Sequence, residues 1–316
     1  MERLGRRSFV GRSAGYLLSG ALAAVPHRSS AAEVLRLATI PLDAGAEVYY
    51  ALDMGFFRDA GIDAQIQSIP NGAAIAAAVA SNAIDVGFSN LISLGEAYKR
   101  NVPFTVIAPG SLWSVKAPTT VLMVPKDSTV RRARDLNGKT IGVNGLKNIL
   151  QYGAQAWIDR NGGDSSTVHF IEMTFPQTLE GLRTKRIDAG LVAEPFIEVA
   201  KAEARILAPA LDAVAPNLLI GCYFTTKAWA AAHPDMVARF ALVIEKTAAW
   251  ANAHQRQSGL ILMKYSKLDP RTLQTMLRVV YATRFDISEM QPVIDVAAKY
   301  GGLSTSFPVA ELLYRG

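Results

Sequence analysis

The chain has 316 residues, half of them hydrophobic and 19% charged, with a single cysteine and a formal net charge of +6. This length and apolar content provide for two packed lobes and exclude a disordered chain. Residues 1–32 hold five arginines against one glutamate, so +4 of the charge lies there, and the remaining +2 gives no basis for binding nucleic acid or an anionic membrane.

From the N-terminus, residues 1–32 read as an export signal: a basic start, a modestly apolar stretch from Ala14 to Val25, and small residues before Glu33. GRRSFVG at 5–11 resembles a twin-arginine signal in Arg6, Arg7, Phe9 and Val10 and departs from it at Gly5 and Gly11. Export by the twin-arginine or the Sec route, cleavage near Ala32 or Glu33, and a periplasmic location are therefore expected. Cys222 is the one cysteine, so no intramolecular disulfide can form and none stands near the cleavage point to take a lipid. No later run approaches the ~18 apolar residues of a membrane helix.

After Glu33, short β-rich runs alternate with helical ones. LRLATI at 35–40 reads as a strand, AEVYYALDMGFFRDAG at 46–61 as a helix ended by Gly61, and DAQIQSI at 63–69 as a strand. NGAAIAAAVASNA is a helix, DVGFSN a strand, LISLGEAYKRN a helix and FTVIAPG a strand. A second series from about residue 135 repeats the order: KTIGVNG, NILQYGAQAWIDRNGG, VHFIEM, PQTLEGLRTKR, AGLVAE, PFIEVAKAEA and RILAPAL. Ile-Asp-x-Gly stands before the third strand of both series, as AIDVG at 83–87 and RIDAG at 186–190. TTVLMVPKDS at 119–128 and NLLIGCYFTTKAW at 217–229 read as strands crossing between lobes, a hinge beside a cleft. The tail reads as helical, with Pro234 and Pro270 in first turns, Asp269 as a cap and Gly301 as a stop. Met236, Phe240, Ile244 and Ala248, four apart, form a core stripe.

DMGFFRDAGIDAQI, AIDVGFSN, TTVLMVPKDS, ARDLNGKTIGVNG and RIDAGLVAEPF resemble, in order and spacing, the ABC-importer solute-binding proteins that include nitrate, sulfonate, taurine and thiamin-precursor binders. The resemblance implies an α/β, two-lobed type II periplasmic binding protein fold with two hinge crossings and a helical C-terminal tail. It also implies a monomer that binds a small molecule and hands it to an ABC-importer permease, with no cofactor and no metal. The lobes are expected at 33–122 with 220–316, and at 123–219. Sulfonate binders commonly carry Trp two places before the proline of the EPF run, where this chain has Ala193.

Ligands of open α/β sheets sit at the carboxyl ends of strands, where helix N-termini present free N–H groups. Those ends give the candidate ligand residues: Asp43, Asn71, Ser89, Asn90 and Ser111 from the first lobe, Asn144, Lys147 and Glu194 from the second, and Tyr223 from a crossing strand. Asp43 and Asn144 have a helix-capping role as the alternative, Glu194 a helix-dipole role, and Trp113 and Tyr49 serve either stacking or packing. Because Asp43, Glu47 and Glu194 outnumber Lys147, an amine-bearing or neutral heterocyclic ligand is expected rather than nitrate.

Catalytic motifs are few. GRSAG at 11–15 matches GxSxG inside the export signal, without a preceding strand, and His27, His169, His233 and His254 have no metal-ligand spacing. The expectation is a binding protein, not an enzyme. The alternatives are an enzyme on the same fold, either a dehydratase or a thiamin-pyrimidine synthase, and a binding partner of a membrane sensor. The synthases carry a cysteine-rich loop that a chain with one cysteine lacks.

Overall fold

The computed structural model describes residues 32–266 and 268–316. The export-signal reading of residues 1–31 lies outside the described residues.

Among the described residues thirteen strands are formed: β1 (Glu33–Thr39), β2 (Ile62–Ser68), β3 (Val86–Ser89), β4 (Phe104–Pro109), β5 (Ser111–Ser114), β6 (Thr120–Pro125), β7 (Thr140–Val143), β8 (His169–Glu172), β9 (Ala189–Ala193), β10 (Ala204–Ala208), β11 (Asn217–Leu219), β12 (Cys222–Thr226) and β13 (Val280–Tyr281). The helices are α1 (Glu47–Asp53), α2 (Phe56–Asp59), α3 (Gly72–Ala80), α4 (Leu91–Lys99), α5 (Ile149–Arg160), α6 (Phe175–Arg183), α7 (Phe196–Ala200), α8 (Lys227–Ala232), α9 (Pro234–Ala253), α10 (Gln255–Ser266), α11 (Pro270–Thr275) and α12 (Ile287–Lys299).

Two five-stranded mixed sheets have the same plan. One runs β2-β1-β3-β12-β4 and the other, read from its far edge, β8-β7-β9-β6-β10. In each, three parallel strands come from a βαβ series, and the fourth strand, β12 or β6, is antiparallel to the third. A small third sheet, β11-β5-β13, gathers residues from both crossing regions and the tail.

The repeated Ile-Asp-x-Gly does the same work in each sheet. The Asp85 carboxylate accepts the Arg36 amide of β1 at 2.8 Å, and the Asp85 amide donates to the Arg36 carbonyl at 2.9 Å. Asp188 repeats this on Thr140 of β7, at 2.9 Å in both directions. Each aspartate thereby locks the register in which the third strand enters beside the first. The glycine two places on is required by the helix above it: a Cβ on Gly87 would stand 2.5 Å from Ile75 of α3, and one on Gly190 2.4 Å from Thr178 of α6. The isoleucines, Ile84 and Ile187, are core residues.

The run at 46–61 differs from its expectation. It is two helices rather than one, because Gly55 takes φ of 74° and breaks the first. PFIEVAKAEA is also shorter than expected, with Pro195 as the residue before α7 and Phe196 as its first. In the tail, Pro234 and Pro270 occupy first turns, the Asp269 side chain accepts the amides of Arg271 and Thr272 at 3.0 Å, and Met236, Phe240, Ile244 and Ala248 are buried.

Candidate ligand-binding site

Three asparagines end strand-to-helix loops and cap the helices that follow. Asn71 Oδ1 accepts the Ala74 amide at 2.9 Å at the start of α3; Asn90 Oδ1 accepts the amides of Ile92 and Ser93 at 3.1 Å at the start of α4. Asn148 Oδ1 takes those of Leu150 and Gln151 at 3.0 and 3.2 Å on α5. Each cap satisfies inner amides and leaves the outermost ones open. The amides of Gly72, Ala73, Leu91 and Ile149 have no acceptor among the described residues. All three helix starts, with Phe175 at the start of α6, border one cavity of about 120 Å3. One ordered water needs ~10–15 Å3. The volume therefore suits a small organic group.

Two hydroxyls add to these donors. Ser89, 2% exposed, and Ser111, fully buried, both line the cavity, and neither Oγ has a hydrogen-bond partner among the described residues. A buried hydroxyl is rarely left unmatched, so an unpartnered pair in a cavity wall marks where a bound group supplies the missing acceptors. Gly72 lets α3 approach: a Cβ there would meet Ser89 Oγ at 2.4 Å. Ile40, Leu42, Phe88, Leu150, Phe175 and Leu211 supply an apolar wall. Among the described residues, Glu172 is the one charged side chain on the lining, and its Oε2 accepts the Leu146 amide at 3.2 Å. The electrostatics are thus set by positive helix ends and one opposing carboxylate, with no lysine or arginine on the described lining.

Of the nine residues expected at the site, Asn71, Ser89, Asn90, Ser111 and Asn144 come together on the cavity lining, where Asn144 Oδ1 accepts Asn148 Nδ2 at 2.9 Å. Lys147 lies outside, exposed and with φ of 54°, its amide donating to Gln151 Oε1 at 2.7 Å. Asp43 is turned into the protein body. Its carboxylate takes Nε and Nη2 of Arg278, the Tyr50 hydroxyl and the Val279 amide, each at 2.9 Å. Burial works against the Arg278 charge, but Asp43 outweighs it and holds the guanidinium above its ordinary pKa. The partner stands 235 residues away, so no local pattern announces it.

Glu194 is 3% exposed and also turned from the cavity. Its Oε1 accepts the Leu277 amide at 3.2 Å and its Oε2 the Glu198 amide at 3.4 Å. Burial raises its pKa to about 7, against the pull of those two amides. The end of β9 presents Ala193 to the cavity instead. Tyr223, 1% exposed, packs edge-on against Phe88 with ring centres 5.3 Å apart. Its hydroxyl lies near the fully buried Glu47, whose carboxyl is held well above its usual range by burial, with no formed hydrogen bond between them. Trp113 is a packing residue, fully buried with Nε1 donating to the Thr120 carbonyl at 3.0 Å, and Tyr49 stacks on Tyr265.

Sequence reasoning missed Asn148, Ser93, Thr120 and Glu172 on the lining. Asn148 was within reach, since an asparagine directly before the helical run ILQYGAQAW is a cap signal like those at Asn71 and Asn90.

The NMT1/THI5-like family model matches residues 45–258. No curated protein matches the chain in sequence. Among solved structures, the alkanesulfonate-binding protein SsuA from Xanthomonas axonopodis pv. citri, bound to MOPS, superposes with a TM-score of 0.72 at 16% identity, over 90% of this chain and 98% of that one. The periplasmic aliphatic sulphonate binding protein SsuA from Escherichia coli gives 0.71 at 14% identity, over 90% and 92%. The zinc-bound ligand-binding component of an ABC-type import system from Staphylococcus aureus gives 0.76 at 14%, over 90% and 96%. The two similarly ordered sheets are thus those of the type II periplasmic binding protein fold, and with the family match spanning the greater part of the sequence, the chain belongs to the NMT1/THI5-like family.

Proposed function

We propose that the chain is an extracytoplasmic solute-binding protein that captures a small organic molecule and delivers it to an ABC-importer permease. The solute carries an acceptor-rich head with a single negative charge and an apolar body. The observation that carries this reading is the convergence of the open amides of Gly72, Ala73 and Ile149, at the starts of α3 and α5, with the capped start of α4 at Asn90 and the hydroxyls of Ser89 and Ser111, in a cavity whose described lining has one carboxylate, Glu172, and no lysine or arginine. Three helix ends, each equivalent to roughly half a charge, offset most of a monoanion and the Glu172 carboxylate together; a dianion would be left uncompensated. This differs from the amine-bearing or neutral heterocyclic solute expected from Asp43, Glu47 and Glu194, none of which lines the cavity.

Binding rather than catalysis is supported by the lining itself, on which, among the described residues, no histidine or lysine stands and the one carboxylate, Glu172, accepts the Leu146 amide. The lobes, 33–122 with 220–316 and 123–219, close on the solute about the two strand crossings, and the protein acts as a monomer after export and cleavage near Ala32 or Glu33. Among the described residues no helix is long and apolar enough to cross a membrane.

The test is a thermal-shift screen of the chain from Glu33 with alkanoates, alkanesulfonates and alkylamines of matched length, followed by solution scattering. An anion at a hundred times its dissociation constant adds about 2.7 kcal/mol and makes the particle more compact. Stabilisation by the amines alone, or an unchanged scattering profile at saturation, contradicts the reading.

A further inference from the structure

A second groove adjoins the cavity. It holds about 250 Å3 and shares Ala73, Ser93 and Leu146 with the cavity wall, so the two spaces adjoin at those side chains. Its floor is the alanine face of α3, where Ala77 and Ala80 are exposed although the helix is apolar throughout. An apolar helix face left open beside a solute cavity lacks the cover such a face ordinarily receives. Across from it, Glu96 of α4 contributes one carboxylate oxygen, Oε1, that is shielded from solvent and has no hydrogen-bond partner. Burial raises the Glu96 carboxyl, while Lys147 and Arg100 at the groove's rim work to keep it ionised.

We propose that this groove is an extension of the solute site. The apolar chain of the solute leaves the cavity between Ala73, Ser93 and Leu146, lies on Ala77, and places a hydrogen-bond-donating distal group, an amine or a hydroxyl, on Glu96 Oε1. The preferred solute is then two-ended, with an anionic head and a donor tail. The orphaned acceptor of Glu96 is the feature that a plain alkyl tail leaves unmatched. This inference rests on the anionic-head reading above.

The experiment is calorimetry of the chain from Glu33 with straight-chain carboxylates and sulfonates of four, six and eight carbons, each with and without a terminal amine. In the longer members the amine improves affinity about five- to tenfold, the scale of one charge-assisted hydrogen bond in a half-open site. Glu96→Gln removes that difference between the two series, and Ala77→Trp, which fills the groove from an exposed position, weakens the eight-carbon members relative to the four-carbon ones. An amine advantage that is absent, or that persists in Glu96→Gln, overturns the extension alone. If no anion of either series binds, the head-group reading fails and takes the extension with it.

Discussion

Glu194→Gln removes the ionisable group whose position departs most from its sequence reading, and the consequence is a change in how stability depends on pH. The carboxyl ordinarily titrates near 4.5 and burial raises it to about 7 in the folded chain. Between those values the folded state holds a proton that the unfolded chain has lost. Stability therefore falls as pH rises through this window and is level below it. At about 1.36 kcal/mol per pH unit the interval sets a ceiling of about 3.4 kcal/mol, and relaxation around the charge reduces the expectation to about 2–3 kcal/mol. Glutamine keeps an acceptor for the Leu277 amide and cannot ionise. Urea unfolding from pH 4.5 to 8.5 should show the wild-type chain losing about 2–3 kcal/mol that the variant keeps. Subtracting the two curves cancels Glu47, which acts in the same direction. Curves that run parallel across the window would refute the burial of an uncompensated carboxyl at this place.

Asp43→Asn leaves Arg278 charged and unpaired in the interior, so it should cost about 3–5 kcal/mol and lower the melting temperature by about 6–10 °C, while affinity for any stabilising anion stays as in the wild type. Ser89→Ala and Ser111→Ala should each weaken binding of a stabilising alkanoate or alkanesulfonate about 2- to 10-fold in calorimetry, without lowering the melting temperature of the unliganded chain, since neither hydroxyl has a partner to lose. Gly72→Ala should weaken binding more than either, because its Cβ would stand on Ser89 Oγ at 2.4 Å. Glu47→Gln should make stability fall less as pH rises above the ordinary carboxylate range, since burial holds the Glu47 carboxyl well above that range; urea titration at pH 5 and 8 reads the difference.

The strand and helix order of both sheets was legible because hydrophobic runs and turn residues are local signals. The repeat was legible for a physical reason too: in both copies an aspartate locks the register and a glycine admits a helix, so the same residues return at the same place. Five site residues were read from their positions at strand ends, which is where the fold brings chain segments together. The two carboxylates were legible as strand-end residues but not as interior groups. The partners that draw them inward, Arg278 and the Leu277 amide, belong to the tail and are distant in sequence. The break at Gly55 shows a related limit, since a glycine within a helical pattern marks either a tolerated residue or a left-handed turn, and packing decides which.

The central claim is that open amides at helix starts, with two serine hydroxyls, hold the anionic head of a solute. Amide chemical-shift mapping by nuclear magnetic resonance, on the chain from Glu33 titrated with the best stabilising alkanoate or alkanesulfonate, tests it most directly. The account predicts that the amides of Gly72, Ala73 and Ile149 move downfield as they gain an acceptor, with Ser89 and Ser111 shifting beside them. Shifts centred on Asp43 or Glu194, with the helix-start amides unmoved at saturation, would contradict it.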